Sequence, residues 1–378
     1  MEKVMTMNKK KTHKFPVYVV KRMGLAKWKY WLIRTIGVLV AFLVAGITCT
    51  IIKPGSFGTF YKELFRGCFD FSDITTIINL LVTFSIIMMV VLALIPAFKM
   101  KFWNIGAEGQ ILVGCLVSAG IAKFMPAGTH NAVILIMCAI GAILAGVIWS
   151  VIPAIFKAFL NTNETLFTLM LNYIATISCA LAISVWIKNG SQTFGMLSQG
   201  TFPKILGSSG TIVIAFAVIT FVIMFLYVTK SKHGYEVSVV GESINTARYI
   251  GINVKRVIIR TMILSGVICG LLGFLLVCSV HRSFSDSLVG GKGFTGVLIA
   301  WLGHFDPIEA AFYAFLSAVF ERGTTTVASA INVASAQFSA ICTGMFFFII
   351  IACEFFSRYK IKIHHYTKVE VENNDSCN

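Results

Sequence analysis

The residue most suited to chemistry in this sequence is Glu108, a carboxylate that stands between Gly106 and Gly109 in the segment NIGAEGQI. The apolar residues after it predict a membrane helix, and a carboxylate within such a helix must face protein or water. We predict that Asn104 is the N-cap of this helix and that Glu108 lies about one turn in, on the cytosolic side. Two interpretations stay open: a polar anchor or gate beside a solute path, or a first-turn carboxylate favoured by the helix dipole and two preceding lysines.

The segment NTNETLFTLMLNYIA repeats this design. Thr162 or Asn163 can cap a second helix, Glu164 follows at its start, and Asn172 and Tyr173 fall near its middle. An amide at that depth can hydrogen-bond a polar solute, or it can bond a neighbouring helix, which is the commoner use of asparagine in membranes. The sequence leaves both roles open for Asn172.

Two Gly-x-x-Gly motifs echo each other along the chain. Gly106 and Gly109 open the third apolar segment, and Gly293 and Gly296, in GKGFTGVL, open the eighth. Glycine-interrupted segments at matching places in two halves indicate a transport site, because unwound backbone within a membrane must line a cavity. The alternative is close helix packing through small residues.

The whole chain has the composition of an integral membrane protein. Its 378 residues are 57% hydrophobic and 13% charged, with a mean hydropathy of +0.83. Because each helical crossing needs about 20 apolar residues, the sequence predicts an all-α, polytopic helical bundle with about ten transmembrane helices. The predicted spans are 32–52, 74–98, 105–122, 132–156, 165–187, 211–228, 257–280, 291–304, 308–322 and 335–356. The eighth and ninth are short and interrupted by glycine, so the count around 285–335 stays open.

Topology explains the basic excess of 32 Lys and Arg over 16 Asp and Glu. With ten alternating spans and a cytosolic N-terminus, 23 of the basic residues fall on the cytosolic side and 9 on the outer side. The positive-inside rule therefore predicts that both termini are cytosolic. No nucleic-acid partner is expected, since such a role would need basic residues interleaved with exposed aromatic ones.

Polar stretches divide the chain into one membrane domain and two tails. We predict a basic cytosolic N-terminal tail at 1–31, a transmembrane domain at 32–356 and a polar cytosolic C-terminal tail at 357–378. The ten cysteines include no CxxC pair, and nearly all lie in apolar runs; Cys68 alone is placed in an outward loop. Neither a disulfide framework nor a metal site is predicted.

The loop at 229–256 is the most informative polar stretch. It is cytosolic by its charge and carries Gly234, Gly241 and Gly251 as breaks. Ser243 is a suitable cap for a short helix through SINTARYI. Such a helix can dock on a partner, or the loop can simply be solvated.

Four segments resemble one protein family: FWNIGAEGQILVG, NETLFTLMLNYIA, GYEVSVVGESINTARYIGINVKRVIIRTMILSGVICGLLG and GFTGVLIAWLG. They follow the order and spacing of the permease subunits of bacterial ABC importers for nucleosides and simple sugars, the branched-chain amino-acid and monosaccharide permease group. The resemblance covers about residues 75–320. The form NIGAEGQ is especially similar to the nucleoside branch, which takes up its solute through a lipoprotein binding protein.

The resemblance implies two functional sets of residues. The coupling set, expected to seat on the ATPase within the coupling loop 229–256, consists of Gly234, Tyr235, Glu236, Gly241, Glu242, Ala247, Arg248 and Gly251. The path set, expected near the transported solute, consists of Asn104, Gly106, Glu108, Gly109, Gln110, Asn172, Tyr173, Gly293, Thr295 and Gly296.

The resemblance also implies partners and a location. The partners are an ABC ATP-binding subunit, a second permease subunit that is homologous or identical, and an extracytoplasmic substrate-binding lipoprotein. ATP and Mg would bind to the ATPase, and no cofactor is expected in this chain, because GGKGFTG lacks the spacing and hydroxyl residue of a GxxxxGK[ST] phosphate loop. The chain would be a transport subunit rather than an enzyme, multi-pass in the bacterial plasma membrane.

Two departures from the family pattern leave the identity of the solute open. Lys292 stands where the family more often has an aromatic or neutral polar residue, and GHFDP replaces the usual basic-Asn-Pro turn. The alternative class is an ion-coupled secondary transporter or channel. Such proteins usually carry several intramembrane charges, whereas the predicted deep interior offers few beyond Glu108. A membrane enzyme is disfavoured, since the sequence has neither an HExxH helix nor a convincing set of nucleophile, base and orienting group.

Overall fold

The computed structural model describes residues 17–21, 27–187, 193–205 and 207–363, and these residues are predominantly helical. The helices are α1 (Lys27–Ile52), α2 (Phe57–Phe69), α3 (Ile74–Lys99), α4 (Ala107–Phe124), α5 (Asn131–Leu160), α6 (Glu164–Trp186), α7 (Thr211–Lys230), α8 (Lys232–Glu242), α9 (Ile244–Tyr249), α10 (Val254–Leu275, continued by a π-helical segment, Leu276–His281), α11 (Lys292–Leu302), α12 (Pro307–Ala330) and α13 (Ser335–Arg358). Four short strands are β1 (Val17–Lys21), β2 (Thr193–Phe194), β3 (Phe284–Ser285) and β4 (Tyr359–Ile363).

Each of the ten predicted apolar segments forms a helix, which confirms the all-α, polytopic fold. In the described part of the chain, eight helices are long and apolar enough to cross a membrane. The other two are α11 and α12. With 11 residues, α11 is only about 16 Å long, roughly half of a bilayer core. By contrast, α12 has 24 residues but carries Glu309, Glu321 and Arg322.

Helix α2 was not predicted, because its apolar residues alternate with charged ones. Its buried side is formed by Phe60, Leu64, Gly67 and Cys68, at the i, i+4, i+7 and i+8 positions of one helical face. The placement of Cys68 in an outward loop was therefore wrong: its side chain is fully buried.

Two of the three predicted helix caps are confirmed. The Asn163 side chain accepts hydrogen bonds at the start of α6, and the Ser243 hydroxyl accepts one from the Thr246 N–H at the start of α9. The N-cap of α4, however, is Gly106 and not Asn104. Asn104 lies two residues earlier, where its Oδ1 closes a turn by accepting the Gly106 N–H at 3.0 Å.

Small residues bring α4, α5 and α10 together. A Cβ atom on Gly266 of α10 would lie 2.6 Å from the Gly146 carbonyl oxygen of α5, and one on Gly273 would lie 2.6 Å from the Ile111 carbonyl oxygen of α4. Such close backbone approach is a common way of packing helices in lipid, where no hydrophobic force joins them.

The chain divides into two compact units. The unit formed by residues 46–343 contains the site described below. In the other unit, formed by residues 1–45 and 344–378, β1 pairs with β4 in antiparallel register from Val17 with Ile363 to Lys21 with Tyr359. This pairing brings the terminal segments side by side, as expected of tails on one face of the membrane. Most of the predicted tails lies outside the described residues.

Candidate functional site

The Glu108 carboxylate holds the start of α11. Glu108 is the second residue of α4 and is 8% exposed. Its Oε1 accepts the Gly291 N–H at 2.8 Å, and its Oε2 accepts the Gly293 N–H at 2.6 Å. The first N–H groups of a helix have no partner within it and attract negative charge. The carboxylate therefore satisfies two such groups and joins α4 to α11.

The loop that precedes this junction packs against the middle of α10. Residues 100–106 fold back among the helices, so that the Asn104 Nδ2 donates to the Ser265 Oγ at 3.1 Å. Ser265 is eleven residues, about 16 Å, from the start of α10. The cytosolic-side placement of Glu108 stays a prediction, and the partners of its carboxylate are the Gly291 and Gly293 N–H groups rather than the two preceding lysines.

The two Gly-x-x-Gly motifs contact each other at this junction through Gly293, while the other three glycines pack on neighbouring residues. A Cβ atom on Gly293 would lie 2.5 Å from the Glu108 backbone nitrogen, and one on Gly296 would lie 2.5 Å from a Val90 methyl group. Gly106 caps α4, and Gly109 packs on Asn172. The contact between the two motifs is therefore the one between Gly293 and Glu108.

Three of the predicted path residues have amide side chains, and each of these side chains is hydrogen-bonded to other groups of the chain. Besides its bond to Ser265, Asn104 accepts from the Gln110 Nε2 at 3.4 Å, and Ser265 donates to the Gln110 Oε1 at 3.2 Å. Asn172 accepts the Gly109 N–H at 2.9 Å and donates to the Ile105 carbonyl at 2.8 Å. These amides fix the loop and the start of α4.

Tyr173 lies on a different face from its neighbour Asn172. Its side chain is 60% exposed, as are large parts of Ile174 and Ile177. That face of α6 is apolar and unpacked in the single chain. The path role predicted for Tyr173 remains a prediction, but the structure does not bring it to the Glu108 junction.

Asn172 is buried and hydrogen-bonded whereas Tyr173 is exposed, so substitutions at the two positions should affect stability differently. We expect Asn172→Ala to destabilise the protein by about 2 kcal/mol, because it leaves the buried Gly109 N–H and Ile105 carbonyl without partners. The matched change Tyr173→Ala removes an exposed ring and should leave the melting temperature nearly unchanged. Thermal denaturation of both purified variants checks this, and equal melting temperatures would contradict it.

The structure adds a charged pair that sequence reasoning missed. The Lys292 ammonium at the start of α11 lies 2.7 Å from the Glu321 Oε1 of α12. Lys292 was noted as a departure from the family, but nothing in the sequence joined it to Glu321, at the edge of the predicted ninth span. The deep interior therefore holds more charge than predicted, and the argument that few deep charges disfavour an ion-coupled carrier is weakened.

The segment 229–256, which is predicted to be the coupling loop, forms two helices, α8 and α9, that meet at Ser243. Their inner face packs into an apolar cluster with the ends of α3 and α5 and the start of α10. Its buried residues include Ala97, Phe102, Val237, Val240, Ala247, Val254 and Val257. Gly241 is in close contact with the Lys99 carbonyl. A cleft of about 480 Å³ lies beside this cluster, and Lys101, Glu164 and Ile244 are among its lining residues.

The outer face of these helices is exposed and partly apolar. Tyr249 is 92% exposed and Tyr235 63%, and Glu242, Arg248 and Gly251 are exposed as well. Glu236 is anchored to α10 through Arg260, whose Nη2 lies 2.9 Å from its Oε2. Partial burial tends to raise the pKa of Glu236, but the hydrogen bonds and charges of Arg260 and His233 outweigh it, so the pKa lies below its ordinary value.

Comparison with known proteins decides the family. The family described as the permease component of branched-chain amino acid transport systems matches residues 76–352. The chain belongs to this permease family. The resemblance drawn from the four sequence segments is thereby confirmed, and the permease is a multi-pass protein of the plasma membrane.

Curated relatives of this permease include nucleoside and sugar transporters. A nucleoside ABC transporter permease of Lactococcus lactis is 31% identical over 277 residues, which are 70% of this chain and 75% of that protein. A guanosine ABC transporter permease of Bacillus subtilis is 30% identical over 283 residues, 70% of this chain and 77% of that protein. A glucose ABC transporter permease of Haloferax volcanii is 26% identical over 364 residues, covering 90% and 92%. No solved structure shows a significant match.

Proposed function

We propose that this permease is the membrane-spanning subunit of an ABC importer that carries a nucleoside or a simple sugar into the cell. The observation that carries the proposal is the Glu108 junction, where the first turn of α4 is hydrogen-bonded to the first turn of the short helix α11. Interrupted helices at matching places in two halves are typical of transport sites. The names of the relatives supply the solute class.

The solute path is proposed to pass the start of α11. Thr295 and Lys292 are partly exposed there, whereas the amides Asn104, Gln110 and Asn172 are buried behind them. In this arrangement the buried amides set the shape of the path, and the partly exposed residues meet the solute.

The energy for transport is proposed to come from a separate ABC ATP-binding subunit, which holds ATP and Mg. This subunit would bind to the exposed face of α8 and α9. Movement of these helices would reach the Glu108 junction through the folded-back loop at 100–106, which shares an apolar cluster with α8. A second permease subunit and an extracytoplasmic substrate-binding lipoprotein would complete the importer.

Reconstitution tests this proposal. We expect proteoliposomes that contain the permease with its ATPase and binding lipoprotein to take up labelled guanosine or glucose only when ATP reaches the ATPase. Collapsing ion gradients with ionophores should leave uptake unchanged. Uptake that persists without ATP and stops with the ionophores would instead favour the ion-coupled carrier.

A substitution on the exposed face tests docking alone. We expect Tyr249→Asp to reduce copurification of the ATPase roughly tenfold or more, since an exposed tyrosine at the centre of an interface commonly contributes about 2 kcal/mol. The control is Met196→Asp, because Met196 is 81% exposed in the loop between α6 and α7, on the opposite face. Equal copurification by both variants would count against docking through α9.

A further inference from the structure

The Lys292–Glu321 pair is charged and partly exposed, and Glu321 lies far from either end of α12. Glu321 is the fifteenth residue of α12, about 21 Å from Pro307 and about 13 Å from Ala330. Lys292 belongs to the segment whose backbone Glu108 holds. Both charges therefore lie within the roughly 30 Å hydrocarbon region.

The exposed parts of the Lys292 and Glu321 side chains cannot face lipid. In the single chain, 21% of the Lys292 side chain and 25% of the Glu321 side chain are exposed. Charged groups at this depth face water or another polypeptide, because hydrocarbon does not solvate them. Thr295, one turn along α11, and Thr325, one turn along α12, are also only half-buried. The four side chains form a polar strip of the kind that lines an aqueous path.

The chemistry of the pair suits one class of solute. In the described part of the chain, the two charged groups are joined by the hydrogen bond that the Lys292 Nζ donates to the Glu321 Oε1 at 2.7 Å. It uses one ammonium N–H and one carboxylate oxygen, while an ammonium has three donors and a carboxylate two acceptor oxygens. Neighbouring hydroxyl groups, as on ribose or glucose, can each accept from the ammonium and donate to the carboxylate. The two charges cancel, so the pair gives no net attraction for an anion.

We infer that the Lys292–Glu321 pair contacts the transported solute and favours neutral solutes with vicinal hydroxyl groups. This inference rests on the proposed function and adds a selective contact within the path. Selection by the binding lipoprotein acts equally on every permease variant, so a change in preference between variants belongs to the permease.

The test compares two solutes in the reconstituted importer. We expect the wild type to carry guanosine in preference to 2′-deoxyguanosine, or glucose in preference to 2-deoxyglucose if glucose is its solute. Lys292→Met and Glu321→Gln should each slow uptake of the hydroxylated solute at least tenfold and the deoxy solute much less. The neutral double variant Lys292→Met/Glu321→Met leaves no unpaired charge, and it should fold and carry both solutes at similar rates.

A labelling experiment keeps the inference falsifiable if the single variants fail to fold. Thr295→Cys should react with a membrane-impermeant thiol reagent, and guanosine with the loaded lipoprotein should slow the reaction; wild-type protein gives the background of the native cysteines. An unreactive Thr295→Cys would show a dry contact with a second subunit and overturn the inference. So would equal loss of both solutes in every variant. Failure of the wild type itself to show ATP-dependent uptake would reject the proposed function instead.

Discussion

Replacing Glu108 with alanine is expected to abolish ATP-driven uptake and to lower the thermal stability of the purified permease. The change leaves the Gly291 and Gly293 N–H groups without the acceptors that lie at 2.8 and 2.6 Å. It also removes the negative charge that favours the start of α11. Losing such buried, charge-assisted bonds costs about 2–4 kcal/mol. Because α11 then loses its attachment to α4, both halves of the path are displaced.

Glu108→Gln separates charge from hydrogen bonding. The amide keeps one acceptor oxygen but turns a donor toward one of the two backbone N–H groups, so we expect a variant that folds better than the alanine form but still transports at least tenfold more slowly. The matched control is Glu63→Gln, since Glu63 is half-buried on α2. Melting temperatures and uptake rates measure both. Wild-type transport by Glu108→Ala would show that α11 does not depend on this carboxylate.

The elements that local sequence signals specify were predictable. Apolar length placed ten helices, and glycine pairs marked the starts of α4 and α11. The caps at Asn163 and Ser243 were found because a capping side chain bonds to backbone only two or three residues away. The coupling loop was predicted as a capped short helix, and it contains two.

The relations that depend on tertiary packing were not predictable. Glu108 bonds to backbone more than 180 residues away, and its position follows from the way residues 100–106 fold back. Lys292 and Glu321 belong to separate helices, so their pairing has no local signal. The apolar face of α2 did have one, a set of residues at helical spacing, but the charged residues between them hid it.

The burial of Gly241 in the structure changes the effect that we expect from a substitution at this position. The family resemblance placed Gly241 and Ala247 in the coupling set, which is expected to contact the ATPase. The structure buries both against the permease itself: Ala247 is 0% exposed, and the Gly241 backbone contacts the Lys99 carbonyl. A larger residue at either position would disturb the packing of α8 and α9 on the rest of the permease before it could affect the binding of a partner.

Gly241→Ala is accordingly expected to destabilise the permease by about 2–3 kcal/mol and to uncouple transport. The added Cβ would meet the Lys99 carbonyl and the Met100 Cα, which are backbone atoms and cannot turn aside as a side chain can. Helix α8 must therefore move away from the end of α3. The measurements are thermal denaturation, uptake, and hydrogen exchange across 232–249, which should become faster.

The control for this change is Gly58→Ala, because a Cβ at Gly58 meets nothing within 4 Å and alanine is the better helix former. It should match or exceed wild-type stability. Tyr249→Asp should behave in the opposite way to Gly241→Ala, losing the ATPase while keeping the melting temperature and slow exchange of α8. If Gly241→Ala instead kept its stability and lost only the ATPase, Gly241 would lie in the docking surface, and the packing of α8 on α3 would not be what transmits motion to the Glu108 junction.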